Sequence, residues 1–440
     1  MSSKSLENVQ KPIEKLFVVR NSLLTDAFKD NNNRTVYNSF LMLFICVYIN
    51  QTVRDYLEQG EVVPELKLLI KSFGKIHVML VLVIADIAAT CMVYLFFKNW
   101  AVIRHCLSRN LSTLWDLFWV SILGIYYICS FVLVSYIAIV FELPFASSLY
   151  ALGLHVFFFM KIHSFIRSNS PKVITISDDK LNIPKFFNYC YFLCLPTFLY
   201  RDTYPRTEKT NWRYVCFHLI QIFTEHFIFA FISRKFVIPS VQDFGRAEYT
   251  VGKILLRIFQ NTVAGFLCHF LLFIFVLHSA PNLLAELTTF GDRFFYGDWW
   301  TGTDYSKLFY KWNIPVKDWL FFYIVKDCRE YLFKGNFMAA KLTAFLFSAI
   351  IHEWLFSFIF GVFAPICFLL MIFVAIPLTF ITLPKTAFFN VLFWLSLSFG
   401  ASIILTTYSI EYFANINSPV ENSTIGDKFI PRFLSCITIR

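Results

Sequence analysis

Hydrophobic and polar positions divide this chain into long apolar runs separated by short polar segments. A membrane-spanning helix needs about 20 consecutive residues that are mostly apolar, and the runs approach that length. A shorter, partly apolar stretch at 186–200 is predicted to lie in the membrane interface. The pattern predicts nine spans, near residues 37–53, 76–97, 115–141, 147–166, 214–233, 253–278, 339–362, 364–383 and 387–412.

The residue composition is typical of a membrane protein. Apolar residues make up 57% of the 440 residues and charged residues only 15%, whereas soluble domains carry about 25% charge. With 55 Phe against 14 Gly and 15 Pro, the chain is not rich in linkers either. Because backbone polar groups inside a bilayer must be satisfied internally, the sequence predicts an all-α membrane protein and excludes a soluble globular one.

The net charge of +10 would suggest a nucleic-acid partner in a soluble domain. Here the Lys and Arg residues lie in short segments between apolar runs, so we expect no nucleic acid. Basic segments at 1–36, 98–114 and 167–213 alternate with loops at 54–75 and 142–146 that are acidic or nearly uncharged. The positive-inside rule therefore places the N-terminus in the cytosol and, after nine spans, the C-terminus in the lumen.

This topology divides the chain into a short cytosolic N-terminal arm (1–36), a membrane body (37–412) and a lumenal C-terminal tail (413–440). The loop at 234–250 fits it least well, because this loop is slightly basic yet falls on the lumenal side. Asn422 begins a glycosylation sequon in the tail, which is compatible with the lumen. The polar N-terminus predicts no cleaved signal peptide.

Ionisable side chains inside a span are costly and mark candidate sites. His352 and Glu353 lie in the middle of the seventh predicted span. Ser348 and His352 are four residues apart and share a helix face, whereas Glu353 lies about 100° further round and is expected to make a different contact. The alternative is a buried histidine that only packs helices together. Position alone does not single out His352, since other histidines lie near spans: His155, His163, His218, His226, His269 and His278.

The eleven cysteines show no C-x-x-C and no zinc-like spacing, so we predict no metal site. Cys190 and Cys194 share a helix face and are interpreted as small core residues. No tandem repeat or low-complexity tract is visible in the sequence.

A second candidate region, from Glu286 to Lys334, is aromatic and charged at once. Pro315 prevents a single long helix, so amphipathic helices are predicted at 304–334 on the cytosolic face. Trp and Tyr are typical of the belt at a membrane surface, but they would also suit the wall of a site that opens to the cytosol. The tryptophans of this region are Trp299, Trp300, Trp312 and Trp319.

Within this region, FYGDWW at 295–300 resembles the FYxDWWN signature of the membrane-bound O-acyltransferases, in their sterol and diacylglycerol branch. The Trp312-Asn313 pair and SAIIHEW, which contains His352, follow in the family's order and at the expected distances. The resemblance covers about residues 17–436 and makes 37–412 the catalytic domain. Four further stretches are similar to the sterol O-acyltransferases: KIHSFIR (161–167), YRDTYPR (200–206), LLAELTTFGDR (283–293) and TTYSIEYFA (406–414).

The resemblance implies acyl transfer from long-chain acyl-CoA to a lipid hydroxyl, inside a chamber enclosed by the helices of an endoplasmic reticulum protein. His352 matches the catalytic base, and Asn313 matches a residue that assists it. Acyl-CoA is a substrate that would arrive from the cytosol, a sterol would arrive from the bilayer, and no cofactor or metal is implied. A homo-oligomer is implied as well. The implied substrate-binding residues are Phe295, Tyr296, Asp298, Trp299, Trp300, Trp312, Lys317 and Ser348.

The implied chemistry suits these residue types. A neutral imidazole can take the proton of a hydroxyl near pH 7, and an amide N–H can stabilise the oxyanion that develops. No acyl-enzyme is needed, so no Ser or Cys nucleophile is required. A dry site would keep water from hydrolysing the thioester.

The sequence departs from the family pattern at several positions. Thr301 replaces the closing Asn of the signature, Lys317 replaces a His, and Val325 replaces an aromatic residue. The run at 305–311 also lacks an Arg expected in the sterol branch, so we expect rebuilt CoA contacts. Ser418 stands where a Cys often pairs with the equivalent of Cys436, and we predict no disulfide there.

The leading interpretation is an acyl-CoA:sterol O-acyltransferase. The nearest alternative is the same chemistry on diacylglycerol or another lipid alcohol, which the NIPV sequence before Lys317 favours slightly. A further alternative is an inactive family member that only binds sterol. A transporter or receptor would explain the apolar segments but not the ordered motifs.

Overall fold

The computed structural model describes residues 15–175, 183–246, 249–419 and 430–436, which form a bundle of α-helices. The described residues contain no β-strand, and eight helices are long and apolar enough to span a membrane, so the predicted all-α membrane fold is confirmed. Numbered in chain order, the eight are α2 (Asn31–Gln59), α4 (Ile76–Cys106), α5 (Arg109–Val140), α6 (Phe145–Thr175), α8 (Trp212–Val241), α10 (Thr262–Leu287), α13 (Phe337–Phe360) and α15 (Ala387–Asn417).

Shorter helices connect or flank these eight. Wider helical turns at Phe321–Val325 and Cys328–Leu332 follow α12, and 3-10 turns form at Trp299–Thr301 and Arg432–Cys436. The shorter helices are α1 (Leu23–Ala27), α3 (Pro64–Ser72), α7 (Phe186–Cys194), α9 (Val251–Gln260), α11 (Tyr305–Lys311), α12 (Ile314–Leu320) and α14 (Ile366–Leu378).

Two of the nine predicted spans differ in the structure. The start of the span predicted at 253–278 was wrong, because Asn261 separates α9 from α10 and the spanning helix begins at Thr262. The buried Asn261 amide anchors this break by donating to Ser240 Oγ (2.9 Å) and Thr406 Oγ1 (3.2 Å). The span predicted at 364–383 appears as the shorter helix α14. The total of nine spans stays a prediction.

The slightly basic segment at 234–250 has its charge offset within the fold. Helix α8 continues through the start of this segment to Val241. Arg234 donates to Glu61 Oε2 (2.9 Å), and Lys235 forms an ion pair with Asp55. The acidic partners come from α2 and the residues that follow it. The segment therefore presents less positive charge than its sequence suggests.

Glu353 joins three helices at the middle of the bundle. Its Oε1 accepts hydrogen bonds from Tyr408 Oη (2.7 Å) on α15 and from Ser357 Oγ (2.9 Å) on α13. Its Oε2 accepts the backbone N–H of Phe368 (3.0 Å) on α14. The prediction that Glu353 makes contacts of its own, separate from those of His352, is confirmed.

The N-terminal segment is held against the bundle by ion pairs. Arg20 pairs with Asp292 through two hydrogen bonds of 2.7 and 3.2 Å. Lys15 pairs with Asp318 on α12 at 2.7 Å. The predicted boundary of the arm at residue 36 falls inside a helix, because α2 begins at Asn31.

The described part of the C-terminal tail returns to α15. Glu411 accepts the backbone N–H groups of Arg432 and Phe433, both at 2.8 Å. The Arg432 guanidinium donates to the carbonyl oxygen of Ser418 (2.8 Å), which stands at one of the two positions where the family often has paired cysteines. The predicted sequon at Asn422 lies outside the described residues.

Candidate active site

His352 projects from α13, and its ring is accessible at the wall of a large cavity. Its Nδ1 lies 2.7 Å from the carbonyl oxygen of Ser348, one turn earlier. Because a carbonyl oxygen can only accept, Nδ1 carries the proton of this bond, and the neutral ring keeps Nε2 as a proton acceptor. Ser348 Oγ lies 3.4 Å from the same Nδ1. The helix itself therefore selects the tautomer that a general base needs.

Asn313 caps the N-terminus of α12, since its Oδ1 accepts the backbone N–H of Val316 at 3.1 Å. This bond fixes which end of the amide faces the helix. The Nδ2 group makes no hydrogen bond within the described residues, and Asn313 lines the same cavity as His352. The structure thus leaves one amide N–H₂ available to a bound molecule.

The cavity that His352 and Asn313 share has a volume of about 3490 Å³. Typical ligand pockets measure about 300–1,000 Å³, so this one has room for two substrates. No hydrogen bond joins His352 to Asn313 in the described part of the chain, and both residues line this one large cavity. Ser348, Lys317, Phe295, Asp298 and Trp312 also line this cavity.

The other signature residues lie in a buried aromatic cluster. Tyr296 and Trp299 are almost fully buried, and the Tyr296 hydroxyl is 2.7 Å from His278 Nδ1. The carbonyl oxygen of Trp300 accepts from the side chains of Asn390 (3.0 Å) and Trp394 (3.2 Å) on α15. These contacts hold the signature segment in place, while the substrate-binding role predicted for its residues stays a prediction.

The signature segment also positions the helix that carries Asn313. The carbonyl oxygen of Phe295 accepts the backbone N–H of Ile314 at 3.0 Å. Trp312 packs edge-on against Trp299, with ring centroids 4.6 Å apart, and stacks on His269 at 5.0 Å. The aromatic cluster therefore fixes Asn313 from both sides of its backbone.

Asp298 is paired rather than free. Lys311 donates to its Oδ1 at 2.7 Å, and this hydrogen bond holds the pKa of Asp298 below its usual range. Thr301 Oγ1 lies 2.8 Å from the carbonyl oxygen of Asp298 and 3.0 Å from its Oδ2. The Thr that replaces the signature's closing Asn thus binds Asp298 through its hydroxyl.

Lys317 and Lys341 are two of the lysines that line the cavity. Lys317 Nζ lies 3.2 Å from Asp318 Oδ1 and 4.3 Å from the ring centroid of Tyr310. Lys341, which the sequence analysis did not single out, also lines the cavity and forms no ion pair within the described ranges. Of Lys317 and Lys341, Lys341 therefore has the less compensated positive charge.

Further polar side chains in the cavity wall were missed or only partly noticed from the sequence. Glu225 on α8 is buried and lines the cavity, beside His226 and near Tyr150. The signal was a carboxylate followed by a histidine inside the apolar run IFTEHFIF.

The described residues contain no group of three or more His, Cys, Asp or Glu side chains that could hold a metal ion. Val325 is buried and packs with Ala340 and Ala344.

Comparison with known proteins assigns the family. The model of the membrane-bound O-acyltransferase family matches residues 78–410. The chain belongs to the membrane-bound O-acyltransferase family. The predicted acyltransferase enzyme is thereby confirmed, and the transporter or receptor alternative is set aside.

This acyltransferase is similar over nearly its whole length to characterised relatives. It is 33% identical to sterol O-acyltransferase 1 of Mus musculus, over 96% of this chain and 79% of the relative. It is 31% identical to sterol O-acyltransferase 2 of Homo sapiens, over 99% of this chain and 83% of the relative. The predicted resemblance to the sterol branch is therefore confirmed.

Proposed function

We propose that this acyltransferase moves a long-chain acyl group from acyl-CoA to the hydroxyl of a sterol, giving a steryl ester and free CoA. The observation that carries the proposal is the hydrogen bond from His352 Nδ1 to Ser348, which leaves Nε2 free in a cavity that Asn313 also lines. The names of the relatives, sterol O-acyltransferase 1 and 2, support a sterol as the acceptor.

In the proposed reaction, His352 Nε2 takes the proton of the sterol hydroxyl while the hydroxyl oxygen attacks the thioester carbonyl carbon. The Asn313 Nδ2 group donates a hydrogen bond to the carbonyl oxygen as negative charge develops there. The C–S bond then breaks, and the CoA sulfur leaves with the proton that His352 has taken. The acyl group passes directly to the sterol, so the protein needs no covalent intermediate.

The positive charges at the cavity wall support a binding position for acyl-CoA. Lys317 and Lys341 lie at the wall where anionic CoA phosphates would be stabilised. Lys341 precedes His352 by eleven residues on α13, which is about 16 Å along a helix. A phosphate bound near Lys341 and a thioester at His352 would therefore lie at two different levels along the same helix. The sterol would come from the bilayer.

Several properties follow from the proposal as expectations. The enzyme would lie in the endoplasmic reticulum membrane with its N-terminus in the cytosol and its C-terminus in the lumen. It would work as a homo-oligomer. The remaining signature residues, Tyr296, Trp299 and Trp300, would serve substrate binding by holding Asn313 and the cavity wall in position.

The test supplies membranes that contain the full chain with labelled oleoyl-CoA and either cholesterol or diacylglycerol. Labelled steryl ester, absent from membranes without the chain, is the result we expect. Triacylglycerol with no steryl ester would reassign the acceptor to another lipid alcohol. Labelled sterol that binds without forming any ester would support the inactive, sterol-binding alternative instead.

A further inference from the structure

Two lysines share one carboxylate at the wall of the cavity. Lys317 Nζ lies 3.2 Å from Asp318 Oδ1, and Lys15 Nζ lies 2.7 Å from Asp318 Oδ2. All three residues line the cavity. The proposed reaction uses Lys317 to stabilise anionic CoA, but it leaves Lys15 without a role.

Lys15 belongs to a segment, residues 15–22, that is fixed beside the chain just ahead of the signature. We name this segment the N-terminal strap. The backbone N–H of Arg20 donates to the carbonyl oxygen of Gly291 (3.0 Å), and the carbonyl oxygen of Arg20 accepts the backbone N–H of Arg293 (3.1 Å). The Arg20 guanidinium also pairs with Asp292 at 2.7 Å. The strap is therefore part of the folded cavity wall.

Phe17 anchors the strap close to its first residue. The Phe17 ring packs edge-on against Tyr204 and Phe290, with ring centroids 5.4 and 6.2 Å apart. Lys15 Nζ lies 5.3 Å from the centroid of the Phe17 ring, and only 16% of the Lys15 side chain is exposed. Lys15 is thus a pre-placed partner for Asp318 rather than a freely moving surface side chain.

Asp318 and a CoA phosphate compete for the same ammonium group of Lys317, because carboxylate and phosphate oxygens both accept charge-assisted hydrogen bonds. The Asp318 side chain is 13% exposed and that of Lys317 is 29% exposed, so solvent screens their attraction only in part. If Lys317 turned to a phosphate without Lys15 present, a partly buried carboxylate would be left unpaired, which is costly. With Lys15 present, Asp318 keeps a cation when Lys317 leaves it.

Lys317 can change partners while α12 stays in place. Its ammonium group sits on a flexible four-carbon stem with three donors, and it lies 4.3 Å from the ring centroid of Tyr310. Asn313 is fixed separately, by the hydrogen bond between its Oδ1 and the backbone N–H of Val316. A change at Lys317 should therefore alter the binding of the donor and leave the amide that serves the reaction undisturbed.

We propose that Lys15 is a positioning residue for acyl-CoA binding: it neutralises Asp318, so that Lys317 is released to bind a phosphate group of the CoA. This proposal rests on the proposed function, in which acyl-CoA binds beside Lys317. Lys15 acts through Asp318, so its loss should raise the KM for acyl-CoA and leave kcat close to that of the wild type.

The test compares oleoyl-CoA with S-oleoyl-pantetheine, the same thioester without the phosphates and the nucleotide, in membranes that contain equal amounts of each variant. Lys15→Met should raise the KM for oleoyl-CoA roughly 3- to 10-fold and leave the KM for S-oleoyl-pantetheine unchanged. Lys15→Arg keeps the charge and should bind oleoyl-CoA like the wild type. A wild-type KM for oleoyl-CoA in Lys15→Met, or an equal rise for both donors, would overturn the proposal.

Removing the carboxylate should make Lys15 unnecessary. We expect the double variant Lys15→Met/Asp318→Asn to recover a KM for oleoyl-CoA close to that of the wild type, because Lys317 then has no carboxylate beside it. A double variant that binds as weakly as Lys15→Met would contradict this role. Lys29→Met is the matched control and should leave both KM values unchanged, since Lys29 pairs with Asp26 and 67% of its side chain is exposed.

Binding of radiolabelled oleoyl-CoA to the purified full chain separates the two proposals. If the wild type forms no steryl ester, the proposed function fails. The role of Lys15 still stands if Lys15→Met weakens binding of oleoyl-CoA and the double variant restores it. That role falls if Lys15→Met binds oleoyl-CoA as the wild type does, or if the double variant binds it no better than Lys15→Met.

Discussion

The hydroxyl of Tyr408 donates a 2.7 Å hydrogen bond to Oε1 of Glu353, the residue that follows His352 on α13. Both Tyr408 and Glu353 are buried. Because the bond ties α15 to α13 next to the candidate base, it fixes the rotation of α13 about its own axis. The direction in which His352 points is thus set by a contact that His352 does not make.

Removing this bond should destabilise the bundle. Tyr408→Phe leaves a buried carboxylate oxygen with one donor fewer, and we expect a loss of about 1–3 kcal/mol in stability. Thermal unfolding in detergent, followed by the loss of the monodisperse peak, measures the change. Tyr136→Phe is the control, since Tyr136 is 62% exposed, and it should unfold like the wild type. An unchanged unfolding temperature for Tyr408→Phe would show that the bond does not stabilise α13.

Asn313 combines a structural and a proposed catalytic role, which two substitutions separate. Asn313→Asp keeps an oxygen that can cap α12 but loses the Nδ2 donor, so stability should hold while the acylation rate falls about 10²–10³-fold. Asn313→Ala loses the cap as well, and should cost about 1 kcal/mol of stability in addition. Rate and unfolding temperature are measured on the same preparations. A fully active Asn313→Asp enzyme would remove the amide from the mechanism.

Close packing of α10 and α15 makes Gly265 sensitive to the smallest addition. A Cβ at Gly265 would lie 2.7 Å from Ser402 Cα and 2.9 Å from its backbone nitrogen. Small residues at such contacts let membrane helices approach, and overpacking costs about 1–3 kcal/mol or more. We expect Gly265→Ala to lower the yield of folded protein.

Gly124→Ala is the matched control for this prediction, because nothing lies within 4 Å of the position of its added Cβ. In a helix the substitution should be neutral or slightly stabilising. Equal folded yields of the two variants, measured by size-exclusion chromatography, would contradict the packing argument.

The Asp298–Lys311 pair should make a small, pH-dependent contribution to stability. Lys311 lowers the pKa of Asp298, so the contribution is present above the ordinary Asp pKa of about 3.9 and is lost as pH falls through the folded value. The Asp298 side chain is 48% exposed, which limits the effect to under about 1 kcal/mol. The Asp298→Asn variant should unfold at a slightly lower temperature than the wild type near neutral pH, and this difference in unfolding temperature should vanish in acid. A difference that grows in acid would contradict this assignment.

The helical membrane fold could be predicted from sequence because span length and hydropathy are local properties. The break at Asn261 could not, because one Asn changes the hydropathy of an apolar run very little. Its effect depends on hydrogen bonds to Ser240 and Thr406, which are distant in the chain.

The candidate site shows the same division between local and long-range information. Motif order singled out His352 and Asn313, and the spacing of Ser348 and His352 predicted their shared helix face. The choice of tautomer at His352 needed the distance to the Ser348 carbonyl oxygen. The hydrogen bond between Tyr150 and His226 could not be predicted, because the two residues belong to different spans and meet only in the folded bundle.

The most direct test of the central claim is the rate of ester formation by His352→Ala in membranes that contain equal amounts of each variant. The control is His105→Ala, since His105 is an exposed histidine near the end of α4. Loss of a general base should lower the rate about 10²–10⁴-fold for His352→Ala, with wild-type activity in the control. A His352→Ala enzyme that forms ester at the wild-type rate would contradict the account.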